Sequence, residues 1–199
     1  MSKINKLLGF YELRSTSLPK INWQEFDPEK STFDSQVLWS VRCATIAGQD
    51  FNLPRLIGAK AKEAREFALE QYARSKDNGL VLYYPYFIAE KSGTLLVEER
   101  KIIIEGVTGD LWNLVTYNRR EVTIIFADET IKYHGNEDLL TEKEVLELKA
   151  QALYVRAHFH KELSTEQGLL LEWSYAFKAD MDAKPVGESQ LLFYEIRTI

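Results

Sequence analysis

Two apolar stretches near the end of the chain decide the fold: Gly168-Leu-Leu-Leu-Glu-Trp-Ser-Tyr-Ala-Phe177 and Gln190-Leu-Leu-Phe-Tyr-Glu-Ile-Arg197. The polar run from Lys178 to Ser189 holds a proline and a glycine, so the pattern predicts two strands joined by a hairpin loop. Successive side chains on a strand point to opposite faces. The first strand therefore has one bulky apolar face, made of Leu171, Trp173, Tyr175 and Phe177. Its other face is smaller and more polar, and is made of Leu170, Glu172, Ser174 and Ala176.

Each strand of this hairpin carries one glutamate. If the hairpin is symmetric about its loop, Glu172 lies opposite Glu195, and Arg197 projects from the same face as Glu195. Opposed carboxylates repel each other, and a cation between them would remove the repulsion. Mg²⁺ prefers such carboxylate oxygens, and Arg197 beside them could hold a phosphate. Alternatively, both glutamates face solvent on the open side of an antiparallel sheet, with Arg197 as their salt-bridge partner.

Composition limits the class of protein. The chain has 199 residues, of which 45% are apolar, and a net charge of −5. This size and apolar content predict a packed domain, and the negative charge argues against general binding to nucleic acid or an anionic membrane. No apolar run approaches the roughly 20 residues of a membrane span, and no signal peptide is evident, so a cytoplasmic location is expected. The single cysteine, Cys43, excludes an internal disulfide and is read as a small buried residue.

Several further elements precede the hairpin. Residues 1 to 36 read as a segment that wraps a surface, and residues 37 to 199 as one domain. Val37 to Ala44 is predicted as a strand, with Arg42 on its less bulky face. Lys60 to Lys76 has the spacing of a helix. Gly79 to Ile88 is predicted as a strand up to its proline at position 85.

The middle of the chain is predicted to hold short strands and one long helix. Ala89 to Gly93 reads as a turn, and the glycines at 106 and 109 read as breaks in a sheet. The helix runs from about Thr141 to Leu163, opens with the capping box Thr141-Glu-Lys-Glu144, and buries one apolar stripe, namely Val145, Leu148, Ala152, Val155 and Phe159. The order of elements predicts an α+β fold, a largely antiparallel sheet with helices packed on one side.

The terminal hairpin resembles the end of the nucleotide-binding domain of phosphoenolpyruvate synthase and pyruvate phosphate dikinase. There a strand with Asp-Ile-Glu-Trp-Ala is followed, after a loop, by a strand with Gln-Ala-Arg-Pro. Here Leu170-Leu-Glu-Trp-Ser174 is similar to the first motif and Glu195-Ile-Arg-Thr198 to the second. Tyr84-Pro-Tyr-Phe-Ile-Ala-Glu-Lys-Ser-Gly93 is similar to the hinge motif of the family, and Val41-Arg-Cys-Ala44 to its Val-Arg-Ser-Ser-Ala motif.

This resemblance implies an ATP-grasp-like fold and an ATP–Mg²⁺ site. It assigns Glu172 and Glu195 to the metal, and Arg42 and Arg197 to the phosphates. It also implies that backbone groups near the adenine come from the hinge residues Tyr86, Phe87 and Ile88. The short spacing between Arg42 and the hinge, and the lack of a counterpart to the family's Gly-Gly-Lys-Gly segment and phosphohistidine motif, exclude a complete dikinase.

Two functions therefore remain open from the sequence. In the first, the chain binds ATP–Mg²⁺ and supports phosphoryl transfer together with a partner protein. In the second, it is a non-catalytic, degenerate relative of the same fold that serves as an interaction module.

Overall fold

A computed structural model describes residues 4–45, 53–75, 78–115, 119–164 and 167–199. Within these residues the chain forms an α+β fold with two sheets. Every strand pairing whose register is defined is antiparallel, which confirms the expected fold class. In chain order the elements are α1 (Lys6–Ser15), β1 (Gln24–Glu25), β2 (Trp39–Thr45), β3 (Arg55–Ala59), α2 (Ala61–Ser75), β4 (Gly79–Pro85), β5 (Phe87–Val97), β6 (Lys101–Thr108), α3 (Trp112–Val115), β7 (Val122–Ala127), β8 (Thr130–Gly135), α4 (Glu142–His158), β9 (Leu169–Ala179) and β10 (Pro185–Thr198).

The chain divides into two compact units. The first contains Met1–Lys20, Ala89–Tyr175 and Gln190–Ile199, and the second contains Ile21–Ile88 and Ala176–Ser189. The segment predicted to wrap a surface, residues 1–36, therefore contributes to both units: helix α1 to the first and strand β1 to the second. That residues 37–199 act as one domain stays a prediction.

The first unit is built on a six-stranded sheet in the order β10-β9-β5-β6-β7-β8. Helix α4 packs on one face of this sheet through its predicted stripe, and Leu13 of α1 belongs to the same core. The predicted bulky face of β9 also belongs to this core through Leu171, Trp173 and Tyr175, which are at most 5% exposed. The helices thus cover one face of the sheet, as the sequence predicted, and the small polar face of β9 lies on the other side.

Helix α4 is fixed at its beginning by the predicted capping box. The Thr141 hydroxyl accepts from the Glu144 amide, and the Glu144 carboxylate accepts from the Thr141 amide at 2.7 Å. The same carboxylate accepts two hydrogen bonds from Nζ of Lys91 on β5, at 2.8 and 2.9 Å. Burial raises the pKa of Glu144, but the bonds from Lys91 and Thr141 outweigh it and hold the pKa below its usual range. This pair therefore ties the start of the helix to the sheet.

The predicted turn at residues 89–93 is wrong, because β5 runs without a break from Phe87 to Val97. Gly93, expected in a turn, and Gly106, expected to break the sheet, lie side by side inside β5 and β6. A Cβ at Gly93 would overlap the Trp173 indole, and Gly106 lies beside the same ring. Gly93 therefore makes room for a buried tryptophan, and a Cβ at Gly106 would instead press on Val122 and Leu139. These packing roles are not revealed by local sequence.

The second unit holds a four-stranded sheet in the order β1-β4-β2-β3, with α2 against one face. The predicted faces of β2 are confirmed, since Trp39, Val41 and Cys43 pack with Ala64 and Ala68 of α2. Cys43 is buried, and burial raises the pKa of its thiol. The cysteine is therefore the small core residue that the sequence predicted.

The loop of the terminal hairpin is shorter than predicted. The strands extend to Ala179 and resume at Pro185, where a proline at the first strand position costs no ladder hydrogen bond. Oδ1 of Asp180 accepts from the amides of Asp182 and Lys184 at 2.9 and 2.8 Å, and Ala183 has a φ of 56°. A compact turn stabilised by an aspartate thus replaces the long loop. No helix in the described part of the chain is long and apolar enough to cross a membrane.

Candidate functional site

Glu172, Glu195 and Arg197 form one cluster on the polar face of the six-stranded sheet. Nη1 of Arg197 donates to Oε1 of Glu195 at 3.0 Å, and Nη2 lies 4.0 Å from Oε1 of Glu172. The structure thus brings Arg197 to both glutamates, whereas the predicted pairing of Glu172 directly opposite Glu195 stays a prediction. The positive charge of the guanidinium beside both carboxylates reduces the repulsion expected between them.

The alternation of side chains along β9 and β10 produces this arrangement. On β9, Glu172 alternates with Leu171 and Trp173, which point into the helix-covered core. On β10, both Phe193 and Ile196 belong to that core, so the alternation slips by one residue between them, as at a β-bulge. This slip places Tyr194 and Glu195 together on the polar face, which a strict two-residue period did not predict.

The alternative interpretation of the sequence placed both glutamates in solvent on the open side of the sheet, but both carboxylates are buried. Glu195 is 1% exposed and Glu172 is 9% exposed, so neither faces open solvent. The second half of that interpretation is confirmed, since Arg197 is the salt-bridge partner of both. The Arg197 side chain remains 36% exposed, which leaves the cluster with one accessible charged group, a guanidinium.

The cluster does not fit Mg²⁺ in this arrangement. The carboxylate oxygens are donors of the right chemistry, but Mg²⁺ demands a near-octahedral shell of oxygens at about 2.0–2.1 Å. Nη1 of Arg197 already donates to Oε1 of Glu195, and Nη2 lies 4.0 Å from Oε1 of Glu172, so an ion shared by the two glutamates would have to bind beside this positive charge. Among residues that the structure describes, no group of three or more histidine, cysteine, aspartate or glutamate side chains could hold a metal ion.

A row of buried hydroxyl groups lies beside the cluster and was not singled out from the sequence. The Ser92 and Ser174 hydroxyls are 2.7 Å apart, and the Tyr194 hydroxyl is 3.4 Å from Ser174. Ser174 follows Glu172 by two residues on the same face, and Tyr194 precedes Glu195. These contacts join β5, β9 and β10 on the polar face and so help to fix the strands that carry the cluster.

A second acid–arginine contact lies on the same face, on β5 and β6. Glu105 accepts from the Thr94 hydroxyl at 3.1 Å, and Nε of Arg120 lies 2.8 Å from its other oxygen. Thr94 shares a face with Ser92, two residues away, so this contact and the cluster occupy one surface of the sheet. The signal that could have revealed the contact is the direct pairing of Thr94 with Glu105 across the hairpin.

Arg42, the other predicted phosphate ligand, lies in the second unit on β2. It pairs across the sheet with Leu82 of β4 and with Arg55 of β3. Paired residues of neighbouring strands point to the same face, so two guanidinium groups start from adjacent positions there. Arg55 was not identified from the sequence.

The predicted hinge also lies in the second unit. Tyr86 falls between β4 and β5, its ring lies beside Gly58, and its amide donates to the Leu38 carbonyl at 2.8 Å. A nucleotide base could therefore not use the Tyr86 amide while this bond is made. Phe87 stacks on Tyr84, with ring centroids 6.2 Å apart, and Phe87 and Ile88 begin strand β5. The adenine-binding role of these three residues stays a prediction.

Comparison with known proteins gives matches to solved structures only. No protein-family model and no curated protein matches the sequence. The macrocyclase MdnC from Microcystis aeruginosa MRC, bound with the precursor peptide MdnA, matches with a TM-score of 0.46 and 10% identity over 98% of this chain and 51% of its own. The ATP-grasp ligase PsnB, complexed with a minimal precursor, matches with a TM-score of 0.42 and 14% identity over 97% of this chain and 50% of its own.

PsnB also matches in its complex with a phosphomimetic precursor variant, Mg and ADP, with a TM-score of 0.41 and 13% identity over 97% of this chain and 49% of its own. The chain thus spans about half the length of the structures it matches. TM-scores below 0.5 carry the comparison no further, and the phosphoenolpyruvate synthase family receives no support from these structures.

Proposed function

We propose that this chain binds ATP or a closely related nucleotide, with the Arg197 guanidinium on the phosphates. The observation that carries the proposal is the guanidinium itself, which donates a hydrogen bond to buried Glu195 and lies 4.0 Å from Glu172 while 36% of its side chain stays exposed. A guanidinium has five N–H donors in a planar fork that matches phosphate oxygens. An arginine fixed in this way can bind an anion without first losing its rotamer freedom.

The other predicted ligands lie in the second unit, and their roles are proposed for that unit by itself. Arg42, with Arg55 beside it, would contribute positive charge for phosphates. Backbone groups of Phe87 and Ile88, and the Tyr86 carbonyl, would meet an adenine. Phosphoryl transfer in such a site depends on positioning and on stabilising the charge of the transferred group. In this proposal the acceptor comes from a partner protein, and the chain works in the cytoplasm.

Mg²⁺ is the least supported part of the expected site. The ion would supply charge neutralisation of the phosphates when bound. For Glu172 and Glu195 to act as its ligands, Arg197 would have to leave both carboxylates, which now lie 4.0 and 3.0 Å from it. The proposal therefore assigns the phosphates to the arginines and derives no step from a metal.

Thermal unfolding with increasing ATP tests the proposal. A ligand that binds only the folded chain stabilises it by about 2.7 kcal/mol at 100 times its Kd, which raises the midpoint by roughly 5–10 °C for a chain of this size. Arg197→Lys keeps a positive charge and should retain part of the shift, whereas Arg197→Gln should lose it. An unchanged midpoint in millimolar ATP, in a cooperatively unfolding protein, would contradict nucleotide binding.

One observation favours the second function, a non-catalytic interaction module. Arg197 forms ion pairs with both Glu195 and Glu172, as in an ion pair that only stabilises the fold. The same titration separates the two functions. If the midpoint of thermal unfolding does not change with ATP, but falls strongly when Arg197 is replaced, the protein has a structural ion pair and no nucleotide site.

A further inference from the structure

The position of Arg197 has a consequence for metal binding. Its guanidinium touches Oε1 of Glu195 at 3.0 Å and approaches Oε1 of Glu172 to 4.0 Å. We infer that Arg197 is the resident cation of this carboxylate pair and excludes a divalent metal ion from it. One consequence of this inference rests on the proposed function. If the chain binds a nucleotide, its phosphates bind without a metal ion held by Glu172 and Glu195.

Geometry is the first argument for this inference. A Mg²⁺ ion coordinated by both glutamates must lie about 2.0–2.1 Å from an oxygen of each. Arg197 reaches the pair from the same strand as Glu195, two residues away, so its guanidinium is delivered to that space by the backbone of β10. An ion bound through Oε1 of Glu172 and Oε1 of Glu195 would compete with the guanidinium for those two atoms, and an ion bound through the other carboxylate oxygens would lie close to its positive charge.

Charge and burial provide the second argument. A carboxylate that is 1% exposed needs a counter-charge in the folded protein. Arginine keeps its charge at every physiological pH and is less strongly hydrated than a metal ion. Mg²⁺ gives up its water reluctantly. A covalently attached guanidinium therefore competes well against a hydrated ion that must enter from solution.

Mn²⁺, followed by its electron paramagnetic resonance signal, is a suitable probe because binding removes the spectrum of the free ion. The experiment titrates Mn²⁺ into nucleotide-free wild type, Arg197→Gln, Arg197→Lys and Glu172→Gln, with circular dichroism as a check of folding. We expect wild type, Arg197→Lys and Glu172→Gln to bind no Mn²⁺ at this pair. Arg197→Gln leaves both carboxylates without the guanidinium and should therefore gain a bound Mn²⁺. The double variant Arg197→Gln, Glu172→Gln should not bind this ion.

The opposite result overturns the inference. Wild type that binds a Mn²⁺ ion, and loses it in Glu172→Gln, would show that the metal displaces the guanidinium. This outcome is read on wild type and Glu172→Gln and does not depend on whether Arg197→Gln folds. Likewise, an ATP complex of wild type that captures Mn²⁺ in a Glu172-dependent manner would overturn it.

ATP is then added to the same samples in the presence of excess chelator. A nucleotide-induced rise of the midpoint that is equal with chelator and with Mg²⁺ supports the inference. If ATP produces no rise of the unfolding midpoint in either condition while wild type still excludes Mn²⁺, that result contradicts the proposed nucleotide function. It leaves the exclusion of metal by Arg197 standing, because the exclusion is measured without nucleotide.

Discussion

Arg197 donates a 3.0 Å hydrogen bond to a glutamate, Glu195, that is only 1% exposed. Removing one partner of a buried ion pair costs more than the pair itself contributes, because the other charge stays buried. The cost is about 3–5 kcal/mol for fully buried pairs, and it is reduced here because solvent reaches 36% of the Arg197 side chain.

We therefore expect Arg197→Gln to lower the free energy of unfolding by about 2 kcal/mol, measured by urea denaturation. The matched control is Arg120→Gln, whose partner Glu105 is more accessible and whose own side chain is 47% exposed. Exposed ion pairs contribute about 0–1 kcal/mol, so this variant should remain close to wild type. Equal losses in the two variants would contradict the structural role of Arg197.

The Lys91–Glu144 pair predicts a pH dependence of stability. The hydrogen bonds from Lys91 and Thr141 hold the folded-state pKa of Glu144 below its usual range, even though burial opposes them. A depressed carboxyl pKa stabilises the fold above the unfolded pKa of about 4.3, and this contribution is lost as the pH falls through the folded pKa. Stability should therefore decrease from roughly pH 5 downward.

Glu144→Gln tests this assignment, since it removes the charge and keeps the shape. The variant should be less stable than wild type at neutral pH by about 1–2 kcal/mol and should show a smaller decrease on acidification. Glu142→Gln, at an exposed position of the same first helical turn, is the control. A Glu144→Gln curve parallel to that of wild type across the acid range would contradict the role of this pair.

The contact between Gly93 and Trp173 predicts a large effect of one methyl group. A Cβ at position 93 would overlap both the indole and the backbone carbonyl of Glu105, and overpacking of a core typically costs 1–3 kcal/mol or more. Gly93→Ala should therefore lower the free energy of unfolding by about 3 kcal/mol. Gly187→Ala is the control, because no atom lies within 4 Å of its added methyl group, and only its φ of 79° opposes the change.

The turn of the terminal hairpin predicts a stabilising substitution. Ala183 is exposed and has a φ of 56°, a conformation that costs a residue with a Cβ about 1 kcal/mol and glycine almost nothing. Ala183→Gly should raise the free energy of unfolding by about 0.5–1 kcal/mol. The same change at Ala157, on the exposed side of α4, should lower it by about 1 kcal/mol. Two changes of the same sign would contradict the assigned turn conformation.

Local patterns in the sequence predicted much of the fold because they report local forces. The capping box at Thr141 depends on two side chains three residues apart, and the stripe from Val145 to Phe159 depends on the helical period. Gly93 was misread as part of a turn and Gly106 as a break, because Gly93 is required by Trp173, 80 residues away in the chain, and Gly106 by Val122 and Leu139. Contacts of that kind are tertiary and leave no local signal.

The candidate site was predictable in part for the same reason. The two-residue spacing of Glu195 and Arg197 places both on one face of a strand, and the hairpin brings Glu172 to them. The depth of burial of the glutamates was not predictable, and neither was the slip of alternation between Phe193 and Ile196. Both depend on packing across the sheet and not on the pattern of a single strand.

Calorimetric titration of ATP into wild type, Arg197→Gln and Arg120→Gln tests the central claim most directly. Loss of a hydrogen bond from a charged group typically costs 1.5–3 kcal/mol, which is about 10-fold or more in affinity. The nucleotide proposal predicts that wild type and Arg120→Gln bind ATP with similar affinity and that Arg197→Gln binds at least about 10-fold more weakly. No heat of binding in wild type at millimolar ATP, or equal binding by all three proteins, would contradict it.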